Sequence, residues 1–145
     1  MQKILFFVIA GLAGFVLAEG TVTDVKSTQG NPVKQTISWT ASTNGVVSET
    51  DLSNYSRGII ERVILDGSST GTTYSLTLKD SSGVDVLAGL GAGVSTSVVY
   101  CVVPGISVTD GTTTNVALFA VNDLLSLEVT VAGSNRTGSV VLYIR

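Results

Sequence analysis

Most of this chain consists of short stretches in which apolar residues alternate with hydroxyl-bearing ones. In residues 34–42, Ile37 and Trp39 alternate with Thr36 and Ser38. Successive side chains of a β-strand point to opposite faces of a sheet, so this period of two predicts a strand with one buried face and with Trp39 in the core. No stretch after residue 18 shows the apolar period of an amphipathic helix. The pattern therefore favours a fold built from strands.

Seven further segments have a strand-like pattern, and turns rich in Gly, Ser, Thr and Asp separate them. In chain order, the predicted strands are residues 34–42, 58–66, 73–80, 84–88, 97–103, 116–121, 124–131 and 138–145. Glu61 and Arg62 interrupt the second strand and predict a local irregularity there. Gly83 supplies a positive-φ residue for a hairpin between the third and fourth strands. The last two strands are expected to pair as an antiparallel hairpin, and the whole pattern predicts an all-β fold, an antiparallel β-sandwich or jelly roll, in a single domain over residues 34–145.

Residues 1–18 differ from the rest of the chain. Lys3 precedes an apolar run that closes on Ala18, which predicts an N-terminal hydrophobic helix that acts as a signal peptide and is cleaved after Ala18. A retained transmembrane helix is the alternative, but crossing about 30 Å of hydrocarbon takes about 20 apolar residues, and Glu19 ends the run early. Residues 19–33 are predicted to form a flexible or partner-dependent arm that could add a strand to another chain. We therefore expect an exported protein, extracellular or on a virion surface, that touches a membrane only through residues 1–18 if they are uncleaved.

Composition excludes several classes of function. The chain has no histidine, which removes the commonest general base and metal ligand and the Ser-His and Cys-His pairs of nucleophilic catalysis. Eight Lys and Arg against eleven Asp and Glu, with no basic cluster, disfavour nucleic acid binding. The single cysteine, Cys101, cannot form an internal disulfide. We predict a buried, inert thiol there, with a reactive thiol or an intermolecular disulfide as the alternatives.

Two local features invite a chemical interpretation. Asp80 and Asp85 flank the predicted turn and could act as a carboxylate pair or bind Ca²⁺ weakly, but such acids are more typical of solvated loops. Glycines alternate at positions 89, 91 and 93, yet no lysine or helix follows them as in a phosphate-binding loop. They instead predict a strand or loop packed closely against another backbone. The sequence therefore predicts no catalytic residue, no cofactor and no metal site.

The order of these segments resembles a group of small β-rich structural proteins of tailed bacteriophages. The segments that carry the resemblance are TISWTAS (36–42), IIERVILD (59–66), YSLTLKDSSGVDVLAGLGAG (74–93), DGTTTN (110–115) and LSLEVTVAGSNRTGSVVLYIR (125–145). The resemblance implies a decoration, head-fibre or tail-associated role in the virion, often with threefold or other symmetric assembly. The apolar leader departs from that group, because a particle assembled in the cytoplasm needs no export signal.

Three functions then compete. The first is a structural protein, virion-associated or surface-exposed, that forms a homo-oligomer such as a trimer and contacts other structural proteins. The second is a secreted binding module, for example one for carbohydrate, in which Tyr55, Tyr74 or Tyr100 would stack on sugar rings. The third is an unusual hydrolase that uses Asp80 and Asp85. The absence of the usual catalytic residues favours the first.

Overall fold

The computed structural model describes residues 19–67, 73–95, 100–102, 105–109 and 114–145, and these residues form ten β-strands and no helix. The predicted all-β class is therefore confirmed. The predicted leader, residues 1–18, lies outside the described residues. The strands are β1 (Thr21–Lys26), β2 (Val33–Thr40), β3 (Val47–Gly67), β4 (Thr73–Lys79), β5 (Val94–Ser95), β6 (Tyr100–Val102), β7 (Gly105–Thr109), β8 (Thr114–Leu118), β9 (Ala120–Thr130) and β10 (Thr137–Ile144).

The described strands pair antiparallel throughout. The main sheet has eight strands in the order β1-β2-β10-β3-β9-β4-β5, with β6 also paired to β3, and β7 and β8 form a separate two-stranded sheet. The alternation that predicted β2 is confirmed, because Ile37 and Trp39 are buried while Ser38 is exposed.

The 21-residue strand β3 joins the two halves of the main sheet, and the sequence predicted only its second half. Its residues 47–59 pair with β9, and its residues 60–67 pair with β10. The change occurs at Gly58, whose φ is 132° and whose missing side chain leaves room for the carbonyl of Arg145. Beyond Gly58, Ile60 pairs with Ile144 and Arg62 pairs with Tyr143. Glu61 is therefore an extra residue on β3 with no partner on β10. The irregularity predicted at Glu61 and Arg62 is confirmed as this β-bulge.

The predicted hairpin between the last two strands is wrong. β9 pairs with β3 and β4, whereas β10 pairs with β2 and β3, so β3 lies between them. The connection after β9 explains the difference. Val131 has a φ of 61° and is exposed rather than buried as its place in the alternation predicted. Ala132 and Asn135 then donate backbone hydrogen bonds to the loop between β2 and β3, to Gly45 and Ser42 respectively, which carries the chain across to the edge of β2.

Two other predicted strands differ from the observed ones. Residues 116–121 do not form one strand, because β8 ends at Leu118, β9 begins at Ala120, and Phe119 between them accepts a hydrogen bond from Ile60. Residues 84–88 form no strand beyond a single bridge between Lys79 and Asp85.

The segment after β4 covers the outer edge of that strand. Gly83 has a φ of 80°, as predicted for the turn that leads into this segment. Val86 donates a backbone hydrogen bond of 2.7 Å to Leu78, and Leu76 donates one of 2.9 Å to Gly91. Gly91 packs so closely on the backbone of Leu76 that a Cβ would overlap it, which confirms the predicted close packing for this glycine. The backbone groups of β4 that face away from β9 are thus largely engaged.

The other end of the sheet is attached to β3. Part of the predicted arm, residues 19–33, forms β1, which pairs with β2 of the same chain, so the structure differs from the expectation of a flexible segment. On the outer side of β1, Asp24 accepts hydrogen bonds at its backbone oxygen from Asn54 Nδ2 (3.0 Å) and at its carboxylate from the Asn54 backbone N–H (2.9 Å). The ammonium of Lys26 donates to the backbone oxygen of Tyr55. The polar side chains of β1 therefore attach this edge strand to β3.

One hydrophobic cluster connects most strands of the main sheet. Its members come from β2, β3, β4, β5, β9 and β10 and from the loops beside them. Trp39 on β2 and Tyr74 on β4 meet with ring centroids 5.2 Å apart, although three strands separate β2 from β4 in the sheet order. The sheet therefore curls until its two ends share a core, and the prediction of Trp39 as a core residue is confirmed.

We expect Gln35→Ala to destabilise the fold through this attachment of β1. Gln35 is fully buried, its Oε1 accepts a hydrogen bond from the equally buried Ser56 (2.7 Å), and its Nε2 donates to Asp24 (3.0 Å). The truncation leaves the Ser56 hydroxyl without its acceptor, which costs about 1–3 kcal/mol. Urea unfolding followed by tryptophan fluorescence measures the loss. Gln29→Ala, at an exposed position, is the control, and equal midpoints for the two variants would contradict the expectation.

Candidate interaction surface

Three large apolar side chains lie exposed on one face of the β3–β9 pair. They are Tyr55, Ile59 and Leu124, with 47%, 43% and 46% of their surface exposed. Tyr55 is the direct cross-strand partner of Leu124, and Ile59 is the partner of Ala120. Paired residues on adjacent strands project to the same face. We call the exposed face formed by Tyr55, Ile59, Leu124 and Ala120 the β3–β9 strip.

The strip follows from the alternation of residues in the first half of β3. Leu52, Ser56 and Ile60 are buried, whereas the odd-numbered residues from 49 to 59 are exposed. The exposed positions include large apolar side chains where a solvated strand usually carries small polar ones. The pattern therefore presents an apolar surface without any loss of core packing.

The Tyr55 side chain is held in place on the strip. Its hydroxyl donates a 2.7 Å hydrogen bond to the backbone oxygen of Asn122 on β9. Its own backbone oxygen accepts from Lys26. An aromatic side chain fixed in this way loses little conformational entropy when it is covered, which is a property of residues that contribute strongly to interfaces.

An acidic pocket adjoins the strip beside Leu124. It has a volume of about 400 Å³, and its walls include the carboxylates of Glu49, Asp51, Asp80 and Asp123. Most of these groups already have partners. Glu49 lies 2.8 Å from the Lys79 ammonium, Asp80 accepts the backbone N–H groups of Ser82 and Val84, and Asp123 accepts hydrogen bonds from Ser81.

These contacts shift the pKa values of side chains in and beside the acidic pocket. The hydrogen bond from Lys79, with a smaller effect from Ser126, holds the pKa of Glu49 below its ordinary value. Hydrogen bonds from the Ser81 hydroxyl and backbone N–H do the same for the pKa of Asp123. Glu49 and Glu128 raise the pKa of Lys79 in return. Each group is thus stabilised in its charged form near neutral pH.

The two acids considered for catalysis accept backbone hydrogen bonds from the segment after β4. Asp80 caps the turn after β4 with its Oδ1. Asp85 accepts backbone hydrogen bonds from Leu87 (3.0 Å) and Leu78 (3.3 Å) at Oδ1 and from Gly89 (2.8 Å) at Oδ2. Carboxylates that accept backbone hydrogen bonds in this way shape the loop around them. Within the described residues, no group of three or more Cys, Asp or Glu is placed to hold a metal ion.

The aromatic residues considered for sugar binding separate into different environments. Tyr74 is buried against Trp39, so its ring is closed to a ligand. Tyr55 is exposed on the strip. The side chains of Tyr100 and Cys101 lie outside the described part of the structure, so the predictions made for both residues stay predictions.

Sequence reasoning named Tyr55 but missed the rest of the strip. Ile59 lies near the start of the predicted strand 58–66, and the sequence assigned it to neither face. Leu124 is the first residue of the predicted strand 124–131 and was likewise assigned to neither face. The missing signal was the pairing of β3 with β9, which joins residues more than 60 positions apart. Arg57 and Asp51 lie at exposed positions of the same strand and were missed for the same reason.

Comparisons with known proteins identify no relative of this chain. No protein-family model, no curated protein and no solved structure matches it. None of the described segments is a helix long and apolar enough to cross a membrane.

We expect stability to fall in acid partly through Glu49 and Asp123. A carboxylate whose pKa is lowered by folding contributes stability above its unfolded pKa, near pH 4, and loses that contribution as the pH falls through the folded pKa. Urea midpoints should therefore stay level from pH 8 to 6 and decline below about pH 4.5.

The contribution of Glu49 can be separated by substitution. Glu49→Gln should show a smaller decline between pH 6 and pH 3 than the unmodified chain. Asp66→Asn, at an exposed position on another part of the sheet, should leave the decline unchanged. Parallel pH curves for all three proteins would show that the Glu49–Lys79 contact contributes nothing measurable.

Proposed function

We propose that this protein is a non-catalytic structural protein that self-associates through the β3–β9 strip. The observation that supports this most directly is the fixed, exposed apolar strip formed by Tyr55, Ile59 and Leu124. Clustered exposed apolar residues on a rigid surface are typical of interaction sites. The partner is another copy of the chain, and other structural proteins join the same assembly through surfaces outside the strip.

The partly engaged edges of the sheet favour contact through a face over contact through an edge. Strand addition needs a row of free backbone groups at the edge of a sheet. Here Asn54 and Lys26 connect β1 to β3, and residues 85–91 cover β4. The expectation that residues 19–33 donate a strand to another chain loses support, since β1 within that segment already pairs with β2 of its own chain.

We infer further that the curled sheet forms a β-sandwich, with the β2–β10 half packed on the β9–β4 half. The contact between Trp39 and Tyr74 supports this, because it joins strands from opposite halves of the sheet. The passage of β3 from one half to the other supports it too, since strands that switch sheets make the corners of such folds.

A place in a virion, or on an exported surface, fits these properties. The resemblance to β-rich phage proteins supports a virion role, and the leader supports export. The lack of histidine and the engagement of Asp80 and Asp85 by backbone groups support a role without catalysis. The carbohydrate-binding alternative is less well supported, because Tyr74 is buried and Tyr55 alone makes no extended stacking platform.

We expect Leu124→Glu to shift the protein towards the monomer. A carboxylate in the middle of a covered apolar strip would lose its hydration without gaining a partner. Sedimentation velocity of the purified protein between about 1 and 200 µM should show a concentration-dependent oligomer, and the variant should lose it. Val131→Glu is the matched control, because it places the same charge at an exposed apolar position beyond the end of β9. A monomeric unmodified protein, or equal behaviour of the two variants, would overturn the proposed function.

The proposed export is tested at the N-terminus. When the complete gene is expressed in cells, Edman sequencing or intact mass of the secreted protein should show Glu19 as the first residue, because cleavage follows Ala18 in the proposed signal peptide. A substitution of Ala18 by a bulky residue, Ala18→Phe, should block cleavage and leave the leader attached. Recovery of a cytoplasmic protein that begins with Met1 would contradict the proposal.

A further inference from the structure

Arg57 and Asp51 lie on β3 at exposed positions on either side of Tyr55. Among the described residues, neither forms an ion pair or a side-chain hydrogen bond, whereas Lys79 pairs with Glu49 and Glu128, and Arg145 pairs with Glu61. One uncompensated positive charge therefore lies within the strip, between Tyr55 and Ile59, and one uncompensated negative charge lies beyond Tyr55 in the acidic pocket.

The spacing of these charges suits a two-fold pairing of the chain with itself. The cross-strand partners of Asp51 and Arg57 on β9 are Ser126 and Asn122, which are four residues apart, so the two charges are separated by roughly 13 Å at about 3.3 Å per residue. A two-fold axis perpendicular to the sheet and midway between them would pass close to Leu124 and would exchange the two charged positions. An isologous interface of this kind makes each contact twice, so one complementary pair on the chain gives two ion pairs in the dimer.

We propose that two copies pack strip to strip about this axis, with Arg57 of each copy against Asp51 of the other. Tyr55 and Leu124 of both copies then lie in the middle and are excluded from water. This inference rests on the proposed function, because it names the partner and the symmetry of the same strip.

The surroundings of Asp51 strengthen the attraction for a guanidinium. Asp51 belongs to the acidic pocket, with Glu49, Asp80 and Asp123 beside it. Lys79 is the cation that contacts this region, and its ammonium is already held between Glu49 (2.8 Å) and Glu128 (3.1 Å). The pocket therefore keeps a negative potential beside Leu124, and Arg57 of a second copy supplies the opposite charge.

The area of the contacting face determines how tightly the two copies are expected to bind. Positions 49–59 of β3 face about eight residues of β9, so with the adjacent part of β4 this face covers roughly 25 Å by 14 Å, or about 350 Å² on each copy. Stable complexes bury about 800 Å² on each partner. The dimer is therefore expected to be weak and to exchange rapidly, with the charges deciding its register.

Charge reversal tests the pairing. R57E and D51R should each raise the dimer dissociation constant at least tenfold, because each places like charges together at both contacts. The double variant R57E/D51R should return to within about threefold of the unmodified protein, because the pairs re-form with the signs exchanged. Arg136→Glu and Asp66→Arg change the net charge equally at positions away from the strip and should have little effect. Sedimentation velocity at low salt measures all five, and urea midpoints show that each is folded.

The outcomes separate this inference from the proposed function. A dimer dissociation constant that returns towards the unmodified value in the double variant supports the two-fold pairing. If the unmodified protein associates and Leu124→Glu dissociates it, but the double variant is no better than the single ones, the pairing is wrong and the strip remains the interface. If the unmodified protein stays monomeric at 200 µM, a concentration well above a dissociation constant in the µM range, both fail. Should D51R not fold, Asp51→Lys combined with R57E gives the same comparison.

Discussion

The fold depends on one strand that belongs to two halves of a sheet. β3 pairs with β9 along its first half and with β10 along its second, and Gly58 permits the change because a side chain there would collide with Arg145. The bulge at Glu61 then restores the inward direction of Val63 and Leu65. Without this correction, the second half of the strand would turn its apolar residues to solvent. The shared core around Trp39 and Tyr74 follows from that geometry.

The same strand also determines which surfaces are free. Its first half supplies Asn54, which attaches the edge strand β1, and its buried Ser56 completes the hydrogen bonding of Gln35. Buried polar groups of this kind are stable only when each finds a partner. Because the inward positions of β3 are used for the core and for this attachment, only its outward positions, including Tyr55 and Ile59, are left for contact with another molecule.

The sequence predicted local structure well and long-range pairing poorly. The alternation around Trp39, the turn at Gly83, the irregularity at Glu61 and the close packing of Gly91 each depend on a few neighbouring residues, and each is confirmed. The hairpin between β9 and β10 was wrong because nothing local shows that the loop after Val131 bonds to Gly45 and Ser42. The strip was largely missed for the same reason: a row of exposed side chains becomes a surface only when β9 lies beside β3.

Partly engaged sheet edges and a self-complementary strip have a joint consequence for assembly. A two-fold contact uses the same surface on both copies, so it closes after two subunits and leaves no strip to propagate. The contacts on β1 and β4 engage part of each edge, which hinders the strand addition by which β-proteins extend into filaments. The phage resemblance implies symmetric assemblies, a trimer among them. These would then require a second surface through which dimers bind one another. The outward face of β2 and β10 is available for such a contact, because Val25 beside it is 68% exposed and Arg62 lies over the ring of Tyr143 on the neighbouring strand. In this scheme the weak contact between two strips makes the dimer the unit of assembly. Growth of the assembly beyond the dimer depends on what the second face binds.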